Sequence, residues 1–295
     1  MTKTPKLGFI LSLPRSGSTV LSALLDRKEG VVSPPESVFP QMLGTVSQTE
    51  RTNRRWMAAL YLGSTFPPTP LNLDDAEACM QGSNEEILIA LGKAVAAKLN
   101  RDPNLVNTVV WKTPRMVGMH KGPLSTQGKF VVLRRNPHNV FESQFRVEFG
   151  KKNRNSYRFA LFRESYEHAF SRLPKDRVFE LTYDSLPGSL ADLMTFLGTP
   201  DQGEWETRSS SLDLAAENCG HMSEVTKEFR NTDPEKRARL DPGQVKTLNR
   251  AMLIARPTRV FLGGLRAYYD HQSMLWSRNK ATMLLQADTR AENHA

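Results

Sequence analysis

The feature that most constrains the fold is a strand, a tight loop and a helix in direct succession near the start of the chain. An apolar run from Leu7 to Leu13 ends at Pro14, and the polar loop RSGST follows it. Apolar residues then recur at helical spacing from Val20 to Leu25. Such a loop directs its backbone N–H groups and the positive end of the helix dipole toward one point. The pattern therefore predicts an anion-binding loop in an α/β protein.

The loop differs from a Walker A loop, which requires GxxxxGK[ST], because it has one glycine and its cation, Arg15, comes first. The sequence PRSGST resembles the phosphosulfate-binding loop of sulfotransferases, which take a sulfuryl group from PAPS (3′-phosphoadenosine 5′-phosphosulfate). The resemblance implies that Arg15 reaches the sulfate or the bridging oxygen. It also implies that the loop binds the 5′-phosphate through the backbone N–H groups and hydroxyls of Ser16, Gly17, Ser18 and Thr19.

A second motif, FVVLRRNPHNVFESQF, occupies residues 130–145. A strand ends there at an arginine pair, and Arg135 precedes Ser143 by about two helical turns. A guanidinium fork with a hydroxyl suits a phosphate dianion. The segment RRNPHNVFES resembles the 3′-phosphate-binding element of sulfotransferases, in which an Arg and a Ser take the positions of Arg135 and Ser143. Further along, residues 181–184 (LTYD) resemble the family's YEDL segment, which implies that Tyr183 approaches the adenine; packing in the core is the alternative.

Strands alternate with helices over much of the chain, which predicts a parallel sheet with helices on both faces. With the two motifs, this gives an α/β, P-loop-NTPase-like three-layer fold whose ligands bind beyond the carboxyl ends of the strands. The predicted buried strands are Leu7–Leu13, Thr108–Trp111, Phe130–Leu133 and Val178–Leu181. The predicted helices include one opened by a Ser83–Glu86 capping box, and His138–Phe149, Ser156–Ser171, Pro187–Leu197 and Gln244–Ile254.

Residues 1–275 are expected to form a single domain. Within it, residues 40–82 read as an irregular insertion that shapes the acceptor pocket, and residues 205–242 as a lid or a solvated connector. The stretch from 276 to 295 reads as a polar, frayed C-terminal tail.

The resemblance extends to the catalytic groups. Lys112 follows a strand and matches a lysine in the KTH segment of cytosolic sulfotransferases, which implies a second electrophilic cation beside Arg15. Those enzymes carry a His two residues later, where this chain has Pro114, and a proline accepts no proton. Glu36, in SPPES, follows the loop's helix as a Glu does in tyrosylprotein sulfotransferases. We therefore predict Glu36 as the general base.

Other residues remain alternatives. His120 and His221 are fallback bases, whereas His138 lies in the second motif and favours anion binding. The late RKGxxGDWK signature of cytosolic members is absent. Basic residues from a late segment could replace it, and the sequence does not choose among them: Lys227, Arg230, Arg237 and Arg239.

Composition excludes several other functions. The net charge of +9 favours an anionic ligand. The sequence has neither an arginine-rich helix nor an aromatic-rich basic sheet, the patterns that would indicate nucleic-acid binding. The two cysteines, Cys79 and Cys219, are too few for a disulfide framework or a zinc site. No run is long enough to span a bilayer, which together with the cysteine usage favours a cytoplasmic protein.

The expected activity is sulfuryl transfer from PAPS to an acceptor hydroxyl, without a metal, leaving PAP as the desulfated product. The acceptor and the oligomeric state stay open. Two other functions remain: an ATP-dependent kinase or transferase, which would need a lysine late in the loop, and a non-enzymatic binder of polyanions.

Overall fold

A parallel sheet forms the centre of the protein. The computed structural model describes residues 4–113, 120–146, 155–186, 188–199 and 233–292. The strands of the sheet are β1 (Lys6–Ser12), β2 (Val31–Val32), β5 (Thr108–Lys112), β6 (Lys129–Arg134) and β7 (Val178–Thr182). Their order is β2-β5-β1-β6-β7, and every pairing is parallel. A separate antiparallel pair joins β3 (Glu36–Ser37) to β4 (Thr65–Phe66).

Helices connect and cover the strands. Those before β5 are α1 (Ser18–Asp26), α2 (Phe39–Met42), α3 (Gln48–Thr52), α4 (Arg54–Ser64), α5 (Leu73–Ala78) and α6 (Asn84–Lys98). Those after it are α7 (Lys121–Leu124), α8 (Pro137–Arg146), α9 (Ser156–Phe170), α10 (Leu190–Leu197), α11 (Asp233–Ala238), α12 (Pro242–Ala255) and α13 (Leu262–Glu292).

Alternate residues of the central strands enter two different cores, as the period of a β-strand requires. Phe9 and Trp111 belong to the larger core, which includes residues of α4, α6 and α9. Ile10 and Val110 belong to the smaller core, which includes residues of α1 and α10. The sheet therefore lies between two helical layers, and the predicted three-layer α/β fold is confirmed.

The four predicted strands are all present, with ends that differ by one residue or less. The Ser83–Glu86 capping box is also confirmed: Ser83 Oγ accepts from the Glu86 N–H at 3.2 Å, and Glu86 Oε2 accepts from the Ser83 N–H at 2.7 Å. The helix expected from Pro187 begins at Leu190 instead, because Gly188 and Ser189 form a turn before it. Pro187 itself lies outside the described residues.

Two segments have more regular structure than the sequence pattern indicated, while the single domain and the role of residues 40–82 at the acceptor pocket stay predictions. Residues 40–82 are largely helical, and Tyr61 of α4 packs edge-on against Trp111 with ring centroids 6.1 Å apart. Residues 277–292 continue α13, where Ser277 and Ala281 are fully buried. The carbonyl oxygen of Ser277 lies 2.8 Å from where a Cβ on Gly63 would stand, so α13 and α4 are in close backbone contact. In the described part of the chain, no helix is both long and apolar enough to cross a membrane.

Candidate functional site

The predicted site residues lie at the carboxyl edge of the sheet, around one crevice. After β1 the chain moves toward β2, on one side of the sheet, and after β6 it moves toward β7, on the other. Neighbouring strands whose connections diverge in this way leave a ligand-binding crevice between their carboxyl ends. Arg15 follows β1 and Arg135 follows β6, so both enter from the walls of that crevice.

The loop after β1 is held in a strained backbone conformation. Arg15 and Gly17 both have positive φ angles, 74° and 94°. A Cβ on Gly17 would lie 2.4 Å from the ring of Tyr183, so only glycine fits. Gly17 also caps α1 without a side chain, which leaves the first-turn N–H groups without a side-chain cap. The loop therefore has the geometry of an anion site at a helix N-terminus.

The side chain of Arg15 joins the loop to the second motif. Its Nε donates to Ser143 Oγ at 3.1 Å, and its carbonyl oxygen accepts from the Arg135 guanidinium at 3.2 Å. Burial, and then repulsion from Arg135, lowers the pKa of Arg15, although an arginine stays charged in a protein. The sequence paired Ser143 with Arg135 for one phosphate, whereas the structure bonds Ser143 to Arg15.

Arg135 contacts two other side chains of the site. Its Nε donates to Asp233 Oδ1 at 2.7 Å, and a second nitrogen donates to the same oxygen. Its guanidinium carbon lies 3.9 Å from the ring centroid of Tyr183, in a cation–π stack. Burial raises the pKa of Tyr183, which lies between this guanidinium and the Gly17 backbone.

A second cluster lies on the other side of the loop. Lys112, at the end of β5, forms an ion pair with Glu36 at 3.0 Å, and its Nζ donates to Thr19 Oγ1 at 3.0 Å. The Lys112 side chain is 1% exposed and that of Glu36 13% exposed. Thr19 is the second residue of α1, so this cluster contacts the anion-binding end of that helix. The predicted base and the predicted second cation are therefore direct neighbours.

The histidines that the sequence offered as alternatives contact other parts of the protein than the Glu36–Lys112 cluster. His120 packs edge-on against Phe130, and its Nε2 lies 3.3 Å from the Ala169 carbonyl oxygen. His138 Nε2 lies 2.9 Å from Asn249 Oδ1, and burial lowers its pKa. Of the remaining residues that the sequence singled out, Pro114, His221, Lys227, Arg230 and Cys219 lie outside the described part of the chain, as do residues 205–232 of the predicted lid or connector.

Helix α11 contributes residues that the sequence reasoning missed. Asp233 bonds Arg135, and Lys236 lies within electrostatic range of both Arg135 and Arg15. A cavity of about 550 Å³ opens beside them. Its lining includes Asp233 and Arg237, one of the late basic residues that the sequence left open, together with Asn136, Asn139 and Asp184. The contact between residues 135 and 233 spans 98 positions, and no local pattern could have indicated it.

Comparison with known proteins shows the family of the chain. The model of the sulfotransferase family matches residues 9–203, well over half of the 295-residue chain. The chain belongs to the sulfotransferase family. The match includes the loop, Glu36, Lys112, Arg135 and Ser143, and it ends before Asp233.

Solved structures of other sulfotransferases are similar to the chain at low identity. The sulfotransferase domain of the Synechococcus PCC 7002 olefin synthase is 21% identical, with a TM-score of 0.43, over 86% of this chain and 96% of that domain. The sulfotransferase domain from the curacin biosynthetic pathway is 20% identical, with a TM-score of 0.42, over 84% and 98%. The sulfotransferase from Alicyclobacillus acidocaldarius is 12% identical, with a TM-score of 0.40, over 86% and 96%. No curated protein sequence gave a significant match.

Proposed function

We propose that this sulfotransferase family member transfers the sulfuryl group of PAPS to an acceptor hydroxyl, with Glu36 as general base and with Arg15 and Lys112 as the electrophilic cations. The observation that carries the proposal is the Glu36–Lys112–Thr19 cluster beside the anion-binding loop. It brings a carboxylate, an ammonium and a helix N-terminus together at the edge where an anionic donor would enter.

The residues fit PAPS in two respects. The loop has the glycine geometry that lets backbone N–H groups approach a phosphate, because a Cβ on Gly17 would meet the Tyr183 ring. Arg135 already holds a carboxylate with two of its nitrogens, and a carboxylate presents the same kind of oxygen acceptor as a phosphate. We assign Arg135 to the 3′-phosphate and the backbone of Ser16 to Thr19 to the 5′-phosphate, with Tyr183 beside the nucleotide.

Ser143 takes a different part in this assignment from the one its motif implied. It accepts a hydrogen bond from Arg15, so in this proposal it positions that guanidinium. When bound, PAPS supplies a sulfuryl group on a phosphate leaving group. Fixed cations and N–H groups then stabilise the charge as it moves between acceptor and leaving oxygen.

Glu36 would act on the acceptor. In the ion pair with Lys112 it is a carboxylate, the form that accepts a proton from a hydroxyl. Lys112 holds it in position and donates to Thr19 at the same time, so a shift of the ammonium toward the leaving oxygen would release the carboxylate for the proton transfer. The burial of Lys112 limits water at this point, which strengthens its electrostatic interactions.

Calorimetry with PAP tests the assignment. We expect the protein to bind PAP with a dissociation constant in the micromolar range or below, and adenosine 5′-monophosphate, which lacks the 3′-phosphate, to bind at least roughly tenfold more weakly because the contact with Arg135 is lost. Equal binding of the two nucleotides would contradict the 3′-phosphate assignment. Magnesium-dependent turnover of ATP without binding of PAP would replace the proposal with a kinase.

A further inference from the structure

The phosphate-binding face of Arg135 is occupied by a residue of this chain. Its Nε and one terminal nitrogen both donate to Asp233 Oδ1, while the other terminal nitrogen donates to the Arg15 carbonyl oxygen at 3.2 Å. All three guanidinium nitrogens therefore have acceptors, and one face of the group is covered by the Tyr183 ring. The side chains of Arg135 and Asp233 are 4% and 7% exposed, so this is a buried ion pair.

We propose that Asp233 is an internal competitor of the 3′-phosphate, which holds the place of that phosphate on Arg135 and leaves it when the nucleotide binds. The inference rests on the proposed function. Asp233 occupies the edge of the guanidinium formed by Nε and one terminal nitrogen, and a phosphate dianion on that same edge would lie against the carboxylate, where repulsion between the two like charges opposes binding of both. Asp233 opens the short helix α11, so its departure would move or turn that helix at the rim of the 550 Å³ cavity.

Lys236 makes the exchange measurable. It lies one helical turn beyond Asp233 and faces charged groups from three other parts of the site. Those groups are Arg15 after β1, Arg135 after β6 and Glu142 of α8, in addition to Asp233 on its own helix. Burial, followed by repulsion from Arg135, lowers its pKa to about 8, although Asp233 and Glu142 act in the opposite direction.

The sign of the proton change follows from these charges. Near pH 8 a substantial fraction of Lys236 is neutral. Replacing the single charge of Asp233 on Arg135 by a phosphate dianion adds negative charge beside Lys236, which raises its pKa. Binding of PAP at pH 8 should therefore take up part of a proton from solution, at a pH where the phosphates of PAP, with a second pKa of about 6, are already dianions.

The first experiment measures PAP affinity by calorimetry for the wild type and for Asp233→Asn. We expect Asp233→Asn to bind PAP roughly tenfold more tightly, since the competing charge is gone and the side chain keeps its shape. Asp184→Asn is the matched control, because Asp184 lines the same cavity but is a different carboxylate from the one bonded to Arg135. We expect it to change affinity less than about threefold.

A double-mutant cycle separates competition from general repulsion. In the Arg135→Ala background, Asp233→Asn should leave PAP affinity unchanged, because the competition acts through Arg135. A tightening of the same size in both backgrounds would show plain charge repulsion and overturn the proposal. An unchanged affinity of Asp233→Asn in the wild-type background would also overturn it, whereas a failure of every form to bind PAP would reject the proposed function itself.

The second experiment needs no substitution at Asp233. PAP is titrated at pH 8 in buffers of different ionisation enthalpy, which reports the protons taken up on binding. Lys236→Arg keeps the positive charge and removes the titration, so it should abolish the uptake while leaving affinity near the wild-type value. Uptake that persists in Lys236→Arg, or that is absent in the wild type, would contradict the exchange.

Discussion

Two buried ion pairs flank the same crevice, and they differ in which parts of the chain supply their partners. Lys112 ends β5 of the central sheet and Glu36 begins the short strand β3, and both lie within the part of the chain that matches the family. Arg135 lies within that part, but its partner Asp233 comes from a helix beyond it. In the proposed function, the first pair keeps a proton acceptor beside a cation at the reacting centre. The second pair, in the same proposal, covers a phosphate-binding cation until the nucleotide displaces Asp233.

The largest effect expected from this difference is on turnover. Glu36→Gln should lower kcat by roughly 10²–10⁴-fold, since the acceptor proton then has no carboxylate to accept it. The dissociation constant of PAP should stay within about threefold, because the proposed 3′-phosphate site is on Arg135, in the other pair. Release of PAP from PAPS is measured with whichever alcohol, phenol or sugar acceptor the enzyme uses. Glu180→Gln, at an exposed position on β7, is the control. An unchanged kcat in Glu36→Gln would transfer the role of base to another residue.

The second pair should give the opposite pattern. Arg135→Ala should weaken PAP binding by roughly 100-fold, the size expected when a buried charged partner of an anion is removed. Arg134→Ala is the matched control: the adjacent guanidinium pairs with Glu167 and with the exposed Glu180, and we expect less than about a threefold change. Calorimetry on both variants decides the point. Equal losses of PAP affinity in the two variants would mean that PAP binding depends only on the general positive charge around the site.

The smallest expected effect lies at Gly17, where the two regions meet. Gly17→Ala forces a Cβ into the Tyr183 ring and places an alanine at a φ of 94°. We expect the free energy of unfolding to fall by about 1–3 kcal/mol, measured by chemical denaturation. Gly188→Ala should be close to neutral, because its Cβ would stand at an ordinary 3.5 Å from the Ser185 carbonyl oxygen. Wild-type stability in Gly17→Ala would contradict the close contact between loop and ring.

Much of the sheet could be predicted because its strands are short, apolar and separated by clear helical patterns. The strand Val31–Val32 could not, since two residues carry no periodicity. The end of α13 looked like a polar tail because its contact with α4 is made by small residues, Ser277 and Ala281 against Gly63, which give no hydrophobic signal. The same close approach is what allows the two helices to pack.

The candidate site divides in the same way. The loop after β1 and the segment that contains Arg135 could be predicted from the sequence, because each is a continuous stretch with a strand before it and a helix after it. Glu36 and Lys112 were each singled out by a resemblance, but their direct contact was not predicted. The structure joins them in a 3.0 Å ion pair, while the roles of both residues stay predictions. Asp233 was not foreseen, since an aspartate at the start of a short helix is ordinary and its partner is 98 residues away.

The decisive measurement is a crystal structure of the complex with PAP. We expect the 5′-phosphate on the backbone N–H groups of Ser16 to Thr19 and the 3′-phosphate on Arg135, with Asp233 no longer bonded to that guanidinium. We also expect Glu36 and Lys112 to face the side of the 5′-phosphate from which an acceptor would approach. PAP bound away from this crevice, or bound with the Arg135–Asp233 pair intact and the 3′-phosphate elsewhere, would contradict it.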